Sequence, residues 1–238
     1  MIKFKDDLWV LIPARGGSKS IPLKNMANLN GKPLISYAIT TAKNTPSVSK
    51  IVCSTDSKKI ALYCKEQGIS VLARPDSLSG DNIPTVDVII HFLKHFKDKG
   101  NKLPEFIVLM EPTSPFVKVE HIEECLQLIN KDKDATSVQT VTESPPNHHA
   151  YNQRIIKNNV SIFLFPNERK CSFNKQTKSK HYTHGNVRII RISSLLESGN
   201  LFGEKSLALI IPRKFSLDAD SYEDFELAEM YIKSGLIF

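Results

Sequence analysis

Long apolar runs are missing from this 238-residue chain, since none approaches the roughly 20 residues that a membrane-spanning helix requires. The apolar stretch near the N-terminus is short, and Arg15 interrupts it, so we expect a buried strand there and not a signal peptide. Cysteine is also scarce: Cys53, Cys64, Cys125 and Cys171 are far apart, without zinc-ligand spacing or a disulfide framework. We therefore expect no membrane partner and a cytoplasmic location.

What is present is ordinary for a globular protein. Hydrophobic residues make up 41% of the chain and charged residues 24%, which excludes intrinsically disordered and fibrous classes. The length suits one large α/β domain, or one domain with a small appendage.

The formal net charge of +7 is unevenly distributed. Nine basic residues and a single acid, Glu168, lie between positions 154 and 191. The basic residues are Arg154, Lys157, Arg169, Lys170, Lys175, Lys178, Lys180, Arg188 and Arg191. The rest of the chain, with 23 basic and 24 acidic residues, is close to neutral. This local excess suits an anionic small molecule, a subunit contact or nucleic acid.

Hydrophobic patterning predicts alternating strands and helices over most of the chain. Short apolar runs predict strands at 8–12, 51–54, 70–73, 106–110, 135–141, 187–192 and 207–211. Apolar residues at helical spacing predict helices after Pro33, after a cap at Asp56 or Ser57, over 85–96, from Val119 to Ile129 and over 221–233. This order predicts a Rossmann-like α/β fold, with a mostly parallel sheet and helices on both faces. Ligands of such sheets bind beyond the carboxyl ends of the strands.

The pattern breaks over 143–186, which is rich in turns, polar residues and cations and holds one isolated strand at 161–165. We expect 1–142 and 187–238 to form the α/β domain. The inserted basic arm, 143–186, is expected to contact a partner subunit and an acceptor molecule.

The strongest local signal follows the first strand. Gly16 and Gly17 are adjacent, in a chain with only ten glycines, and Arg15, Lys19 and Lys24 add three cations within ten residues. Glycines let the backbone approach a ligand closely and expose successive N–H groups. A donor-rich cationic loop at a strand's carboxyl end indicates polyphosphate binding. The loop matches neither the dinucleotide fingerprint nor the Walker A pattern.

This loop and four later motifs, in the same order, resemble the acylneuraminate cytidylyltransferase family, the CMP-sialic acid synthetases and related nonulosonic acid cytidylyltransferases. The later motifs are Ser54-Thr55-Asp56, Arg74-Pro75 with Leu78 and Asp81, the 110–115 turn, and 217–220 followed by 224–229. The resemblance implies a GT-A-like nucleotidyltransferase fold and transfer of CMP from CTP to an acidic keto sugar. It also implies a magnesium ion and a homodimer.

The resemblance also implies roles for individual residues. Arg15, Lys19 and Lys24 would contact the triphosphate as catalytic cations, with Lys24 nearest the reacting phosphate. The other implied nucleotide-binding residues are Ala14, Gly16, Gly17, Ser18, Asn25, Arg74, Gly80 and Asp81. The implied acceptor-binding residues are Glu111, Thr113 and Ser114. Fixed cations suit the reaction, because negative charge grows on the phosphate chain as pyrophosphate leaves.

Asp218 and Asp220 are predicted to bind Mg²⁺. Their i, i+2 spacing puts both carboxylates on one side of an extended backbone. Oxygen ligands suit Mg²⁺, which commonly bridges substrate phosphates.

The departures from the family pattern concentrate where the sugar should bind. Glu111 stands where the family usually has glutamine, and Gly80 stands where it often has serine. The segment 182–186 lacks the arginine of the family's R-P-N-G motif. Sialic, legionaminic, pseudaminic and other acidic keto sugars therefore all stay open as acceptors.

Three other functions are compatible with parts of this sequence. One is the same fold acting on another nucleotide or acceptor, and another is a catalytically silent nucleotide-binding or subunit-interaction protein. The third is nucleic-acid binding by the basic arm, whose interleaved aromatic residues are Phe163, Phe165, Phe173 and Tyr182. We expect no nucleic-acid partner, because the phosphate loop already accounts for the ligand. Metal binding by His148-His149 and a reactive Cys171 have no supporting pattern.

Overall fold

The computed structural model describes residues 8–172, 174 and 178–237. Its central sheet is built from seven strands: β1 (Leu8–Pro13), β4 (Lys50–Thr55), β5 (Ser70–Ala73), β6 (Phe106–Leu109), β7 (Ser137–Glu143), β10 (Tyr182–Arg191) and β11 (Ser206–Ile210). Two short ladders join β2 (Asn28–Leu29) to β3 (Lys32–Pro33) and β8 (Arg154–Lys157) to β9 (Val160–Phe163). The strand order of the sheet is β11-β7-β10-β6-β1-β4-β5. All neighbours pair in parallel except β10, which is antiparallel to both β6 and β7.

The helices among the described residues are α1 (Ile35–Asn44), α2 (Lys58–Glu66), α3 (Thr85–Asp98), α4 (Val119–Lys131), α5 (Pro166–Cys171), α6 (Ile192–Ser198) and α7 (Tyr222–Lys233). In the ranges that the structure describes, none of them combines the length and apolar character needed to cross a membrane. The predicted α/β fold, a mostly parallel sheet with helices on both faces, is confirmed.

The sheet is buried on both faces, which explains the continuous apolar run of β1. Val10 and Ile12 face a cluster that α1, α2 and α4 complete. Trp9 and Leu11 face the opposite cluster, which α3 and α6 complete. Because successive strand residues point to opposite faces, a strand covered on both sides needs apolar residues at every position.

A third apolar cluster forms around α7 and fixes the segment before it. Phe225 and Ala228 of the helix pack with Phe116 and Phe215. Ser221 caps α7 by accepting a hydrogen bond from the backbone N–H of Asp224, as expected of a serine at this position. The segment 216–220 is therefore held against the loop that follows β6.

Three local predictions were wrong. Pro33 does not open a helix, since it pairs in the β2–β3 ladder and α1 begins at Ile35. The strand predicted at 161–165 is not isolated, because β9 pairs with β8 in a hairpin. The late strand begins at Tyr182, five residues before the predicted start, because its pairing with β7 continues to Glu143. Sheet pairing thus extends into the range predicted as the basic arm.

The aromatic and cationic side chains of the arm contact one another. The Arg154 guanidinium lies 4.3 Å from the centre of the Phe163 ring, and the Lys178 ammonium donates to Asn152 Oδ1 at 3.0 Å. Phe173 and Lys175, which the sequence analysis counted in this arm, lie outside the described residues. The division into a domain and an inserted arm stays a prediction.

A buried polar cluster ties β10 to α4 and to the segment before α7. The Asn186 side-chain amide donates to the Phe215 carbonyl at 2.9 Å and to His121 Nδ1 at 3.1 Å. Its backbone N–H donates to Thr140 Oγ1 at 2.8 Å. Gly185 permits this approach, because an added Cβ would lie 2.6 Å from the same Thr140 oxygen. These contacts explain the local sequence Gly185-Asn186.

Acid is expected to destabilise the fold through His121. The pKa of this imidazole is lowered from 6.5 to about 4, mainly by burial; the Glu120 charge opposes this effect and the Lys118 charge adds to it. Since the unfolded state takes up the proton first, stability is lost as pH falls from about 6.5 towards 4. We predict that, between pH 7 and pH 4, the free energy of unfolding falls by about 3 kcal/mol less in His121→Gln than in the wild type. Urea unfolding at both pH values measures this difference, and the exposed His148→Gln is the control. Parallel pH profiles for wild type and His121→Gln would contradict it.

Candidate active site

A cleft of about 240 Å³ opens at the carboxyl ends of β1, β5 and β6. The predicted site residues that line it are Arg15, Gly17, Ser18, Lys24, Asn25, Arg74, Gly80, Asp81, Glu111 and Thr113. Three other predicted residues contact this set from the side: Lys19 pairs with Asp81, Asp220 pairs with Lys24, and Asp218 accepts a hydrogen bond from Thr113. Ala14 and Ser114 are buried, and the backbone of Gly16 contacts Asp56.

The loop after β1 is anchored to the end of β4. The Ala14 N–H donates to the Ser54 carbonyl at 2.9 Å, and the Gly16 N–H donates to Asp56 Oδ1 at 2.7 Å. The Asn25 amide donates to the Arg15 carbonyl at 2.9 Å and closes the loop from its other end. The Ser54-Thr55-Asp56 motif therefore shapes the loop that bears the cations.

Arg74 is buried, and its guanidinium bonds to the end of β4. Its Nη2 donates to the Ser54 carbonyl at 2.7 Å and its Nε to Ser54 Oγ at 3.2 Å. Burial lowers the pKa of this arginine, and the Asp56 carboxylate opposes that effect. Arg74 thus fixes the strand ends and also presents one side to the cleft.

Two loop cations converge on one carboxylate across the mouth of the cleft. Arg15 lies 2.5 Å and Lys19 2.6 Å from the two oxygens of Asp81. Hydrogen bonds from Lys19 and then Arg15 hold the pKa of Asp81 below its usual range. The pairs are solvent-accessible, so their contribution to stability is small. A triphosphate, with more negative charge than one carboxylate, can replace Asp81 as their partner.

The third cation, Lys24, reaches the segment before α7. Its ammonium pairs with Asp220 Oδ1, and only 14% of its side chain is exposed. Leu23, directly before it, adopts a left-handed backbone conformation with φ of 52°, which a branched residue rarely does. The surrounding structure therefore fixes the direction of Lys24.

Asp218 and Asp220 lie beside the turn that follows β6. The Ala219 N–H between them donates to the Thr113 carbonyl at 2.7 Å. Burial raises the pKa of Asp218, a hydrogen bond from Thr113 opposes this, and the neighbouring Asp220 charge raises it again. Among the described residues, no group of three or more histidine, cysteine or acidic side chains is arranged to hold a metal ion. The protein thus offers a cation at most a pair of carboxylates here.

Glu111 lies at the end of the cleft near Asp218. Burial raises the pKa of its carboxyl, Asp218 raises it further, and the Arg188 guanidinium lowers it. Arg188 was not among the predicted site residues and was predicted only as one of the basic residues of the 154–191 segment. The sequence does contain a signal for this residue, because Arg188 is the one charged side chain in the otherwise apolar stretch 187–190.

The histidine pair contributes no open ligand set. His149 is buried, its Nε2 lies 2.9 Å from the Ser179 carbonyl, and its Nδ1 accepts from the Tyr151 N–H at 3.2 Å. Both ring nitrogens are therefore already engaged. Cys171 is exposed at the end of α5, far along the chain from the loop that lines the cleft.

The mostly parallel α/β sheet carries a glycine-containing, cation-bearing loop at the carboxyl ends of its strands, where sheets of this class bind their ligands. The family described as Cytidylyltransferase matches residues 9–188. The chain belongs to this cytidylyltransferase family.

Two relatives with assigned names are similar to this chain in sequence. The chain is 31% identical over 220 residues to the N-acylneuraminate cytidylyltransferase of Escherichia coli, covering 92% of this chain and 50% of that protein. It thus spans about half the length of that relative. It is 30% identical over 223 residues to the CMP-N,N'-diacetyllegionaminic acid synthase of Legionella pneumophila, covering 92% and 93% of the two chains.

A solved structure shares the fold. The CMP:2-keto-3-deoxy-manno-octonic acid synthetase complexed with CTP aligns with a TM-score of 0.70 and 14% identity. The alignment covers 96% of this chain and 99% of that one. At this identity the likeness concerns the fold alone.

The two loop glycines are expected to differ in tolerance. A Cβ at Gly16 would lie 2.9 Å from Ser57 Cβ, whereas a Cβ at Gly17 would meet nothing within 4 Å. Ser57 caps α2, so its backbone cannot retreat freely. We predict that Gly16→Ala lowers the free energy of unfolding by about 1–3 kcal/mol, as other overpacked sites do. Gly17→Ala, the matched control, should stay within about 0.5 kcal/mol. Urea denaturation measures both, and equal values would contradict the prediction.

Proposed function

We propose that this protein transfers CMP from CTP to an acidic keto sugar of the nonulosonic class and releases pyrophosphate. One observation carries the proposal. In a chain of the cytidylyltransferase family, a single cleft brings together the anchored cationic loop, Lys24 with Asp220, and the turn that holds Glu111 and Thr113. The names of the Escherichia coli and Legionella relatives support the choice of acceptor class.

The proposed chemistry follows from the charges of the cleft. The sugar hydroxyl oxygen attacks the α-phosphorus and forms a new P–O bond, while the bond from the α-phosphorus to the oxygen that bridges the α- and β-phosphates breaks. The hydroxyl proton passes to solvent, and the bridging oxygen leaves as part of pyrophosphate. Negative charge accumulates on the departing pyrophosphate, where Arg15 and Lys19 would stabilise it after exchanging Asp81 for phosphate oxygens. Lys24, fixed from the opposite side, would contact the reacting phosphate. Preorganised cations need little rearrangement during the reaction.

Asp218 and Asp220 fit a magnesium ion in the role that the family implies. They are adjacent oxygen donors, and Mg²⁺ is commonly held by one or two carboxylates together with substrate phosphates and water. A bound Mg²⁺ would neutralise phosphate charge. The mutual repulsion of the two carboxylates favours a cation between them.

A homodimer is proposed as the working assembly. The β8–β9 hairpin exposes Ile156 and Val160, at 67% and 58% of their surface. Apolar side chains clustered on a projecting hairpin favour contact with another protein surface. We also propose a cytoplasmic location, since Cys53, Cys64 and Cys125 are buried as free thiols.

The experiment that tests the function is a pyrophosphate-release assay. Each of the four nucleoside triphosphates is combined with eight-carbon and nine-carbon keto acids, in the presence of Mg²⁺. Release with CTP and a nonulosonic acid supports the proposal. Release with another nucleotide or a different acceptor would favour the alternative reaction, and no release with any pair would favour a silent nucleotide binder.

Lys24→Met is expected to lower turnover by about 100-fold or more, since a fixed cation at the reacting phosphate is lost. Its folding stability should change far less, because the pair with Asp220 is partly solvated. The exposed Lys43→Met, in α1, is the matched control and should leave turnover unchanged. Initial-rate kinetics and urea unfolding separate the two effects. Unchanged turnover in Lys24→Met would overturn the proposed role.

Asp220→Asn is expected to abolish the stimulation of pyrophosphate release by Mg²⁺. The substitution keeps the size of the side chain but removes the negative charge that would attract the ion. The exposed Asp98→Asn, at the end of α3, is the control. Rates measured over a series of Mg²⁺ concentrations give the dependence, and a variant with the wild-type dependence would rule out Asp220 as a ligand.

A further inference from the structure

Arg188 is a charged residue in an apolar environment. Its neighbours Val187 and Ile189 are fully buried on the opposite face of β10. The Arg188 guanidinium lies 4.5 Å from the centre of the Phe202 ring, and its Nε is buried without a hydrogen-bond partner among the described residues. A buried donor left unpaired is costly, so its retention calls for an electrostatic explanation.

The sheet register puts Arg188 close to Glu111. Arg188 pairs with Leu109 across the β10–β6 ladder, and Glu111 follows Leu109 by two residues. Side chains two positions apart along an extended chain share a face, and diagonal neighbours are within reach of long side chains. Glu111 lines the cleft, whereas Arg188 is not among the residues that line it.

The charges of the two residues offset each other. Arg188 opposes the rise in the pKa of Glu111 that burial causes, and Glu111 opposes the fall in the pKa of Arg188. Within the described part of the chain, no ion pair within 4.0 Å joins them, so the two charges influence each other without direct contact. Without Arg188, this end of the cleft would present the carboxylates of Glu111, Asp218 and Asp220 to an incoming acid.

We propose that Arg188 is a positioning residue for acceptor specificity, whose guanidinium neutralises Glu111 so that a carboxylate-bearing sugar can bind beside it. The inference rests on the proposed function, because it assigns the acceptor side of the same cleft. Glu111 contacts the acceptor, and Arg188 acts through Glu111. A neutral residue at 111 would need no such partner.

The test is a double-mutant cycle with Arg188→Met, Glu111→Gln and the double variant. Arg188→Met should raise the acceptor KM by about tenfold or more, a coupling within the range measured for residues of one charge network. The Kd of CTP, measured by calorimetry, should change by less than about twofold, since none of these substitutions alters the loop from Arg15 to Lys24. The double variant should return to the acceptor KM of Glu111→Gln alone. Arg188→Lys should retain most of the wild-type behaviour, and the exposed Arg213→Met is the control.

A second readout does not depend on turnover. The free energies of unfolding of the same four proteins should show coupling, with Arg188→Met less harmful in the Glu111→Gln background. A double variant whose acceptor KM stays as high as that of Arg188→Met would overturn the proposal, because Arg188 would then contact the acceptor directly. Absence of coupling in stability would overturn it as well. If the wild-type protein turns over no acceptor, the proposed function and this proposal both fail. If the enzyme is active but the double variant does not return to the acceptor KM of Glu111→Gln, this proposal alone is overturned.

Discussion

The backbone carbonyl of Ser54 is the point on which the cleft depends. This one oxygen accepts a hydrogen bond from the Ala14 N–H and another from Arg74 Nη2. It therefore joins the start of the loop after β1, the end of β4 and the residue that follows β5. Parallel strands bring their carboxyl ends to one edge of the sheet, but the loops beyond them have no ladder to fix them. The shared acceptor supplies that fixed point, and Asp56 extends it to the backbone of Gly16.

Most of the sheet could be predicted from the sequence because each buried strand is a local apolar run. β5 has the predicted bounds, and β1 and β4 differ from the prediction by one residue at most at each end. The errors arise where a pairing partner decides the structure. β10 begins early because β7 is available to pair with Tyr182, and this partner is too far away in sequence to leave a local signal. Pro33 is extended because it pairs with Asn28 across the Asn30-Gly31 turn, a local hairpin signal that the prediction overlooked.

The same distinction holds for the cleft. The loop from Arg15 to Lys24 has a pattern that indicates phosphate binding, because glycine and cation content are local properties. Its partners are not local. Asp81 is 66 residues from Arg15, and Asp220 is 196 residues from Lys24. The predicted nucleotide and metal residues were therefore available as a set, but the pairing of each cation with one acid required the fold. These pairs leave the cleft with much of its positive charge already balanced, so the proposed binding of a triphosphate requires the cations to exchange one partner for another.

The distribution of charge in the 154–191 segment follows from its contacts. Lys180 pairs with Glu143, Arg191 pairs with Glu105, and Arg188 faces Glu111, so cations of the segment meet acids that lie outside it. The Arg154 guanidinium covers the ring of Phe163, which removes one aromatic face from any stacking role. Basic side chains engaged in this way cannot all turn towards one polyanion. The excess charge is then better understood as several separate pairings than as one continuous patch, and this favours a small anionic ligand held in the cleft over nucleic acid bound along the arm.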